Sequence, residues 1–252
     1  MDQNDQLQQL VDICHTNLRS SRSCLRYLVK DRGLTKASIK SNKIGFFPQN
    51  TNILTRYLSE DFLSRLNILN FSKQSDFSNY FYLIFPIFSE YGDAVGISGR
   101  TLMGDGERGL LGIPKYKNSS YKKANILYGL NASKQSIIDS NNAYVLEGYF
   151  DYLSMEKNGF LNSVAICGTA FSQKHFLKLA RYTDKITFIL DSDEAGQKSI
   201  ERIYSKYINK GIKLRFLRVP DAYKDIDEYF ADPINGRDTF YKDFKQIIPE
   251  IW

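Results

Sequence analysis

The sequence predicts an α/β protein in which a basic α+β amino-terminal subdomain is followed by a mostly parallel sheet covered by helices. Three observations support this fold class. Short helical patterns precede a β-hairpin pattern over 81–102, and strand-length apolar runs alternate with helical patterns after residue 141. The chain has 252 residues, of which 42% are hydrophobic and 25% charged, so it can bury a core without disulfides or structural metals.

The first 102 residues carry the signals of a helical segment that ends in a hairpin. A stop at Gly33 and a cap at Thr35 divide the helical segment, and a turn at 91–93 joins the two strands. Residues 103–130 are rich in Gly, Lys and Tyr without periodicity, which predicts mostly loop. The predicted helices span 6–18, 21–31, 35–42 and short stretches of 52–67, and the predicted strands span 81–88 and 94–102.

Beyond residue 141, strands alternate with helices at the spacing of a parallel sheet. The least structured connection, 131–142, predicts a division into 1–140, a second domain over 141–235 and a carboxyl-terminal helix in 236–252. The predicted strands span 144–146, 163–166, 185–190 and 213–219, and the predicted helices span 150–157, 172–181, 194–209, 225–231 and 237–247.

The net charge of +6 is unevenly distributed along the chain. Residues 1–140 hold 18 basic and 12 acidic side chains, whereas residues 141–252 hold 16 of each. A basic excess confined to one part of the chain favours a polyanionic partner there, although a solvated basic face is the alternative.

The sequence shows no secretory signal, membrane-length helix or zinc-binding pattern, which favours a cytoplasmic protein. The polar, acidic start does not resemble a secretory signal, and the apolar run 80–88 is about half of the ~20 residues that a membrane helix needs. The three cysteines, Cys14, Cys24 and Cys167, form no CxxC pair, and Cys14, His15 and Cys24 fit no zinc module. We therefore expect a cytoplasmic protein without zinc and without a membrane partner.

Carboxylates follow three of the four strands predicted in the second domain. Ligands of such sheets bind at the carboxyl ends of the strands, so these side chains should converge on one edge. Mg²⁺ prefers oxygen ligands, and paired ions support in-line phosphoryl displacement. Capping of the following helices is the alternative for Asp193 and Asp225. The candidate metal ligands are Glu147, Asp151, Asp191, Asp193, Asp225 and Asp227.

Several motifs, taken in chain order, resemble the bacterial DnaG-type primases and their Toprim core. In the second domain these motifs are VLEGYFD at 145–151, CGTA at 167–170, DSDEAG at 191–196 and KDIDEY at 224–229. In the amino-terminal part they are the segment from YL at 27–28 through RGL at 32–34, IGF at 44–46, FPI at 85–87, GR at 99–100, PKY at 114–116, NS at 118–119 and LYGL at 127–130. The resemblance spans about residues 20–232.

This resemblance implies a primase catalytic core that makes short RNA primers on single-stranded DNA from ribonucleoside triphosphates. It implies that Glu147, Asp191 and Asp193 are catalytic, with Glu147 as the general base, and that all six carboxylates hold two or more Mg²⁺ or Mn²⁺ ions. The Gly168–Thr169 turn lies before a predicted helix start, where the amide hydrogens and the helix dipole favour an anion such as a triphosphate. The residues implied for template or nucleotide binding are Arg100, Lys115, Tyr116, Asn118, Lys123, Gly168 and Thr169.

The chain also departs from the family pattern. Tyr82 stands where the family commonly has an Arg, and no cysteines form the family's zinc module. We therefore expect a minimal core, a fragment, or a phage or mobile-element version, with a replicative helicase and a separate zinc-bearing protein as partners. Two alternatives stay open: a Toprim nuclease or strand-passage subunit, and a non-catalytic module that binds single-stranded DNA or a helicase.

Overall fold

The computed structural model describes residues 3–70, 75–168 and 170–247. The chain divides into two compact units, Met1–Lys122 and Lys123–Trp252, and each unit contains its own sheet. The first sheet is antiparallel and the second is mostly parallel, which confirms the predicted fold class. No helix within the described ranges is long and apolar enough to cross a membrane.

The amino-terminal unit begins with helix α1 (Gln3–Asn17), whose buried face includes Leu7, Leu10 and Cys14. Serine and threonine caps start several of the helices that follow because their side chains accept the free amide hydrogens of the first turn. These helices are α2 (Arg22–Arg26), a π-helical turn (Tyr27–Asp31), α3 (Lys36–Ser41), α4 (Asn52–Thr55), α5 (Glu60–Arg65), α6 (Asp76–Asn79) and α7 (Asp105–Leu111).

The first sheet has four antiparallel strands in sequential order. The strands are β1 (Gly45–Phe46), β2 (Leu83–Phe88), β3 (Ala94–Arg100) and β4 (Tyr116–Asn118). Strand β1 pairs only with Leu83 and Ile84, so Pro86 lies beyond it and its missing amide hydrogen costs no ladder bond there. The register places Arg100 opposite both Leu83 and Tyr116, and this pairing positions the candidate nucleic-acid site described below.

The second unit has a five-stranded sheet in the order β6-β5-β7-β8-β9. Strands β5 to β8 are parallel, and β9 is antiparallel to β8 at one edge. Val145, Ile186 and Phe216 are buried in its core, as expected for strands covered by helices. The strands are β5 (Ala143–Leu146), β6 (Ser163–Ala165), β7 (Lys185–Ile189), β8 (Lys213–Arg218) and β9 (Lys245–Ile247).

Six α-helices accompany this sheet among the described residues of the second unit. Three of them start at side-chain caps: Ser172, Asp193 and Asp225 each accept a backbone amide hydrogen of the first turn. The helices are α8 (Leu130–Ser140), α9 (Tyr149–Lys157), α10 (Gln173–Leu179), α11 (Glu194–Tyr207), α12 (Ile226–Ala231) and α13 (Arg237–Asp243), and a 3₁₀ turn (Lys123–Asn125) precedes them.

Three secondary-structure predictions are wrong, at least in part. The segment 103–130 contains α7, β4 and a 3₁₀ turn; α7 buries no side chain, so the sequence showed no apolar period there. The segment 131–142, expected to be least structured, is mostly helix α8, which buries only Leu130, Ser133 and Ile137. The last predicted helix ends at Asp243, because 245–247 pairs with β8 as the polar edge strand β9.

The boundary between the two compact units differs from the domain boundary predicted from the sequence. The compact units divide between Lys122 and Lys123, earlier than the predicted boundary at 140. Helix α8 lies in the second unit, and its Leu130 and Ile137 belong to the core of that sheet. The division into 1–140, 141–235 and 236–252 stays a prediction.

Candidate active site

The carboxyl ends of β5 and β7 bring the first two predicted carboxylates into contact. The two strands are parallel neighbours, with Leu146 opposite Ile189, so the residues that follow them emerge side by side. The backbone amide of Asp191 donates a hydrogen bond to Oε2 of Glu147 at 3.0 Å. The strand-end argument therefore placed these two residues correctly relative to each other.

Asp151 is buried at the start of α9, one helical turn after Glu147. Its Oδ2 accepts a hydrogen bond from the amide of Gly148 at 2.7 Å. Burial, reinforced by the negative charges of Asp225 and Asp227, raises the pKa of Asp151 to about 7. These charges act on Asp151 because α12, which begins directly after Asp225 and contains Asp227, packs against α9.

The carboxyl group of Asp191, at the same edge of the sheet, also has a raised pKa. Its pKa is raised to about 8, first by burial and then by its interaction with Glu147 and the charges of Asp151 and Asp225. Two carboxyl groups with raised pKa values in one cluster indicate negative charge that the protein side chains leave uncompensated. A divalent cation would remove this repulsion.

Hydrogen bonds fix the third strand end, which carries Asp225 and Asp227. The buried carboxylate of Asp227 accepts a hydrogen bond from the hydroxyl of Ser154 on α9. The carbonyl of Lys224 accepts bonds from the amide and the hydroxyl of Ser192, each at 3.2 Å. The loops after β7 and β8 are therefore joined directly, and Ser154 is a positioning residue that the sequence patterns did not reveal.

Asp193 and Asp225 both cap helices, as the alternative interpretation of the sequence allowed. Oδ1 of Asp193 accepts the amide hydrogen of Gly196 at 2.9 Å, and the side chain is exposed at the start of α11. Oδ1 of Asp225 accepts the amide hydrogen of Glu228 at 2.8 Å, but its charge also acts on Asp151 and Asp191. Asp225 thus combines capping with a place in the carboxylate cluster.

The carboxylate cluster has the donor chemistry of a divalent-metal site. Its oxygen ligands are of the type that Mg²⁺ and Mn²⁺ prefer, and the repulsion from neighbouring carboxylates, which adds to burial in raising the pKa values of Asp151 and Asp191, would be relieved by a bound cation. Over the described ranges, no three acidic, histidine or cysteine side chains are already arranged to hold one ion. The residues fit the ion by chemistry, and their side chains must turn to ligate it.

The turn after β6 lies beside the carboxylates. Cys167 and Gly168 both have positive φ angles, 49° and 73°, and the amide of Cys167 donates to the carbonyl of Glu147 at 2.8 Å. Burial raises the pKa of the Cys167 thiol; the charge of Asp151 raises it further, and the charge of Lys123 opposes this. Lys123 therefore lies near this turn, and its carbonyl is 3.3 Å from Nε2 of His175 in the first turn of α10. Thr169, the other residue predicted to bind a triphosphate, lies outside the described residues.

In the amino-terminal unit, Arg100 lies between two aromatic rings. Its guanidinium carbon is 5.5 Å from the ring centre of Tyr27 and 5.2 Å from that of Tyr116. Its Nη1 donates to the Tyr116 hydroxyl at 2.7 Å, and Arg100 is only 7% exposed. Stacking fixes the guanidinium plane, so the arrangement is a rigid cationic and aromatic surface.

Two members of this surface were missed as site residues. Tyr27 begins the π-helical turn, and its hydroxyl accepts a hydrogen bond from Nε of Arg32 at 2.8 Å. Arg32 also lies over the Tyr27 ring, 5.3 Å from its centre. The only sequence signal was the placement of both residues within a motif shared with the primases, since their spacing of five does not mark an ordinary helix face.

The other predicted residues of the amino-terminal site flank strand β4. Lys115 is exposed just before β4, and Asn118 ends it and accepts a hydrogen bond from the Tyr121 hydroxyl at 2.9 Å. Lys117, between them, forms an ion pair with Asp76. Tyr82 occupies the family's arginine position and packs edge-on against Phe46, with ring centres 5.7 Å apart.

Two protein-family models together match most of the chain. The family model described as the N-terminal domain of the DNA primase catalytic core matches residues 13–134. A second family model, described as Toprim-like, matches residues 144–230. The two matches follow each other in the order of the two sheets.

The chain belongs to the DnaG-type primase catalytic-core family. The Toprim-like match implies that this primase core binds divalent metal. A DNA primase from Rickettsia felis is 30% identical over 256 residues, which cover 96% of this chain and 41% of the relative. The chain thus spans about two fifths of the length of these curated relatives, which include the DNA primases of Rickettsia conorii and Rickettsia prowazekii.

Solved primase structures share the fold of this family member. The Aquifex aeolicus primase, comprising zinc-binding and RNA polymerase domains, has a TM-score of 0.84 at 26% identity, covering 97% of this chain and 61% of that chain. A DnaG primase catalytic domain bound to single-stranded DNA has a TM-score of 0.74 at 27% identity, covering 96% and 81%.

Proposed function

We propose that the chain is a primase catalytic core, a DNA-directed RNA polymerase that synthesises short primers on single-stranded DNA by metal-dependent nucleotidyl transfer. The observation that carries the proposal is the carboxylate cluster at the strand ends, where Asp191 contacts Glu147 and the pKa values of Asp151 and Asp191 are raised. The related catalytic domain bound to single-stranded DNA supports the choice of template.

Glu147, Asp191 and Asp193 are the proposed catalytic carboxylates. Glu147 takes the proton from the attacking 3′-hydroxyl, and the amide of Asp191 keeps the Glu147 carboxylate turned towards the edge of the sheet. When bound, two or more Mg²⁺ or Mn²⁺ ions supply charge neutralisation and alignment of the phosphate oxygens. The residues that would hold them are Glu147, Asp151, Asp191, Asp193, Asp225 and Asp227.

The proposed nucleic-acid site uses the cationic and aromatic surface of the amino-terminal unit. Arg100, largely buried between Tyr27 and Tyr116, contributes a fixed positive charge to the proposed template site, and Lys115 adds an exposed ammonium group for a template phosphate. Tyr116 and Asn118 contact bases or sugars. Lys123 and the Gly168–Thr169 turn bind the triphosphate of the incoming nucleotide, since Lys123 lies near the turn after β6.

The proposed partners follow from the same function. A replicative helicase and a zinc-bearing protein would supply template access and site selection, and the reaction would take place in the cytoplasm. A functional interaction would appear as increased primer yield when either protein is added to the purified chain.

The decisive experiment is primer synthesis by the purified chain with single-stranded DNA, labelled ribonucleotides and Mg²⁺ or Mn²⁺. We expect Asp191→Asn to lower the rate by at least about 100-fold, because it removes a proposed ligand of the divalent ions that neutralise the reacting phosphate. Asp238→Asn is the control, since Asp238 lies in the first turn of α13, outside the carboxylate cluster.

Each other outcome of this assay contradicts the proposal. Full synthesis by Asp191→Asn would show that the carboxylate cluster does not carry the reaction. Metal-dependent cutting of DNA without primer formation would favour a nuclease or strand-passage subunit. Tight binding of DNA without incorporation under either metal would favour a non-catalytic binding module.

A further inference from the structure

The short turn that carries Lys123 is held by helix α10 of the same unit. The Lys123 carbonyl accepts the amide hydrogen of Ile126 at 2.9 Å and lies 3.3 Å from Nε2 of His175. The next carbonyl, that of Ala124, accepts a hydrogen bond from the Ser172 hydroxyl at 2.7 Å. The first turn of α10 therefore binds two successive carbonyls of the turn.

His175 is fully buried, and its hydrogen bonds define its tautomer. The amide of Ser172 donates to Nδ1 at 3.2 Å, so Nδ1 is the unprotonated nitrogen. The proton is then on Nε2, which donates to the Lys123 carbonyl. One ring thus joins the N-terminus of α10 to the main chain at Lys123. Its face packs against Phe171, with ring centres 5.7 Å apart, which leaves the ring little freedom.

Lys123 and the main chain of Glu147 both lie near the turn after β6. The side chain of Lys123 is half-buried, and its charge acts on the Cys167 thiol. The Cys167 amide in turn donates to the Glu147 carbonyl at 2.8 Å. A displacement of the main chain at Lys123 would therefore move its ammonium group relative to the proposed catalytic carboxylates.

We propose that His175 is a positioning residue for nucleotide binding: it anchors the main chain of Lys123 so that the ammonium group faces the triphosphate of the incoming ribonucleotide. The inference rests on the proposed function, which assigns Lys123 to the triphosphate. The competing explanation is that His175 serves only to cap helix α10, since it also accepts the Ser172 amide hydrogen.

Two amide variants separate these roles. In His175→Asn the short side chain reaches the position of Nδ1, so it can accept the Ser172 amide hydrogen but cannot reach the Lys123 carbonyl. In His175→Gln the longer side chain reaches the position of Nε2, so it can donate to Lys123 but loses the capping acceptor. Both variants bury one neutral amide, which makes them a matched pair.

We expect His175→Asn to raise the KM for ribonucleotides about tenfold because Lys123 is no longer held in place. Its kcat should stay within about twofold, and its Tm within about 2 °C, of the wild-type values. His175→Gln should keep the wild-type KM but lower the Tm by several degrees. Combined with Lys123→Ala, His175→Asn should cause no further rise in KM, because both changes act through one ammonium group.

Two readouts do not depend on primer synthesis. The affinity for Mg-ATP should fall with His175→Asn as the KM rises, and amide hydrogen exchange at Ile126 should accelerate because the Lys123 carbonyl is less fixed. If the wild-type chain makes no primers, the proposed function fails while these two measurements still test the positioning.

The inference is overturned if His175→Asn leaves both Mg-ATP affinity and Ile126 exchange unchanged. It is equally overturned if His175→Gln weakens nucleotide binding as much as His175→Asn does. In either case the ring would serve only to cap α10.

Discussion

Asp151 and Asp191 hold protons that ordinary aspartates would have lost at neutral pH. Their raised pKa values, about 7 and about 8, result from burial together with the surrounding carboxylates. A folded-state pKa above that of the unfolded chain means that the folded state binds protons more tightly. The protonated cluster is therefore compatible with folding, whereas the ionised, metal-free cluster opposes it.

We expect the metal-free chain to lose stability as the pH rises from 4 to 8. Asp151 contributes its full stability below the unfolded pKa of about 4 and loses it progressively as the pH passes through about 7. Asp151 alone should lower the free energy of unfolding by about 4 kcal/mol over this range in excess chelator, since each unit of pKa shift corresponds to about 1.4 kcal/mol. Denaturant unfolding at fixed ionic strength measures it, and Mg²⁺ should reverse the loss at pH 8.

The variant Asp151→Asn checks the assignment of this pH dependence. It should be more stable than the wild type in chelator at pH 8, and it should gain less from Mg²⁺, because it lacks both the buried charge and a ligand. Asp238→Asn is the matched control and should keep the wild-type profile. An identical slope in Asp151→Asn and the wild type would assign the pH dependence to other groups.

At the residue scale, the sequence predicted the carboxylates better than the residues that orient them. Glu147 and Asp191 follow from the rule that ligands bind at strand ends, and the structure brings them into contact. Tyr27, Ser154 and His175 act through contacts between segments distant in sequence, which no local pattern encodes. Asp193 could not be assigned from the sequence, because an aspartate directly before a helix is expected both for a helix cap and for a catalytic carboxylate. In the structure it caps α11.

The turn from β7 into α11 depends on one glycine. A Cβ at Gly196 would lie 2.1 Å from the carbonyl oxygen of Asp191, closer than any real contact. The helix therefore starts directly against the backbone that carries a proposed catalytic residue. This close approach is the physical reason for a glycine in the DSDEAG motif.

We expect Gly196→Ala to destabilise the chain by about 1–3 kcal/mol, because the added methyl group forces α11 away from Asp191. Denaturant unfolding measures the change, and primer synthesis should fall with it. The matched control is Gly109→Ala in α7, where a Cβ meets nothing within 4 Å and alanine favours the helix. Equal losses in the two variants would contradict the steric explanation.

Elements with a buried apolar pattern were predicted well. The hairpin of β2 and β3 and the parallel strands β5 to β8 all carry buried residues at strand spacing. The errors fall on α7, α8 and β9, whose sides are mostly exposed and whose conformation is set by neighbours. Strand β9 forms only because β8 offers its edge.

At the scale of the whole molecule, the uneven distribution of charge predicts which part of the chain binds nucleic acid. The basic residues of 1–140, which give the +6 excess, include Arg100 and Lys115 of the cationic and aromatic surface, whereas six of the 16 acidic residues of 141–252 are the proposed metal ligands. Phosphate neutralisation by lysine and arginine makes binding depend on salt concentration.

Lys115→Ala should weaken binding of single-stranded DNA and flatten its salt dependence by about 0.7 in the slope of log affinity against log salt. Fluorescence anisotropy over a range of salt concentrations measures both effects. Lys210→Ala, which removes an exposed lysine from the second unit, is the control and should leave the slope unchanged. A slope unaffected by Lys115→Ala would exclude Lys115 from the nucleic-acid contacts.

The strand order of the second sheet also constrains how the chain acquires its structure during synthesis. Strand β5 is the first of the five to leave the ribosome, yet it lies between β6 and β7. Its apolar Val145 and Leu146 have no complete pairing until the chain has been made as far as Ile189. At ordinary translation rates this interval lasts several seconds. The nascent polypeptide must therefore carry an apolar strand with at least one unpaired edge for that time, a requirement that follows from the strand order.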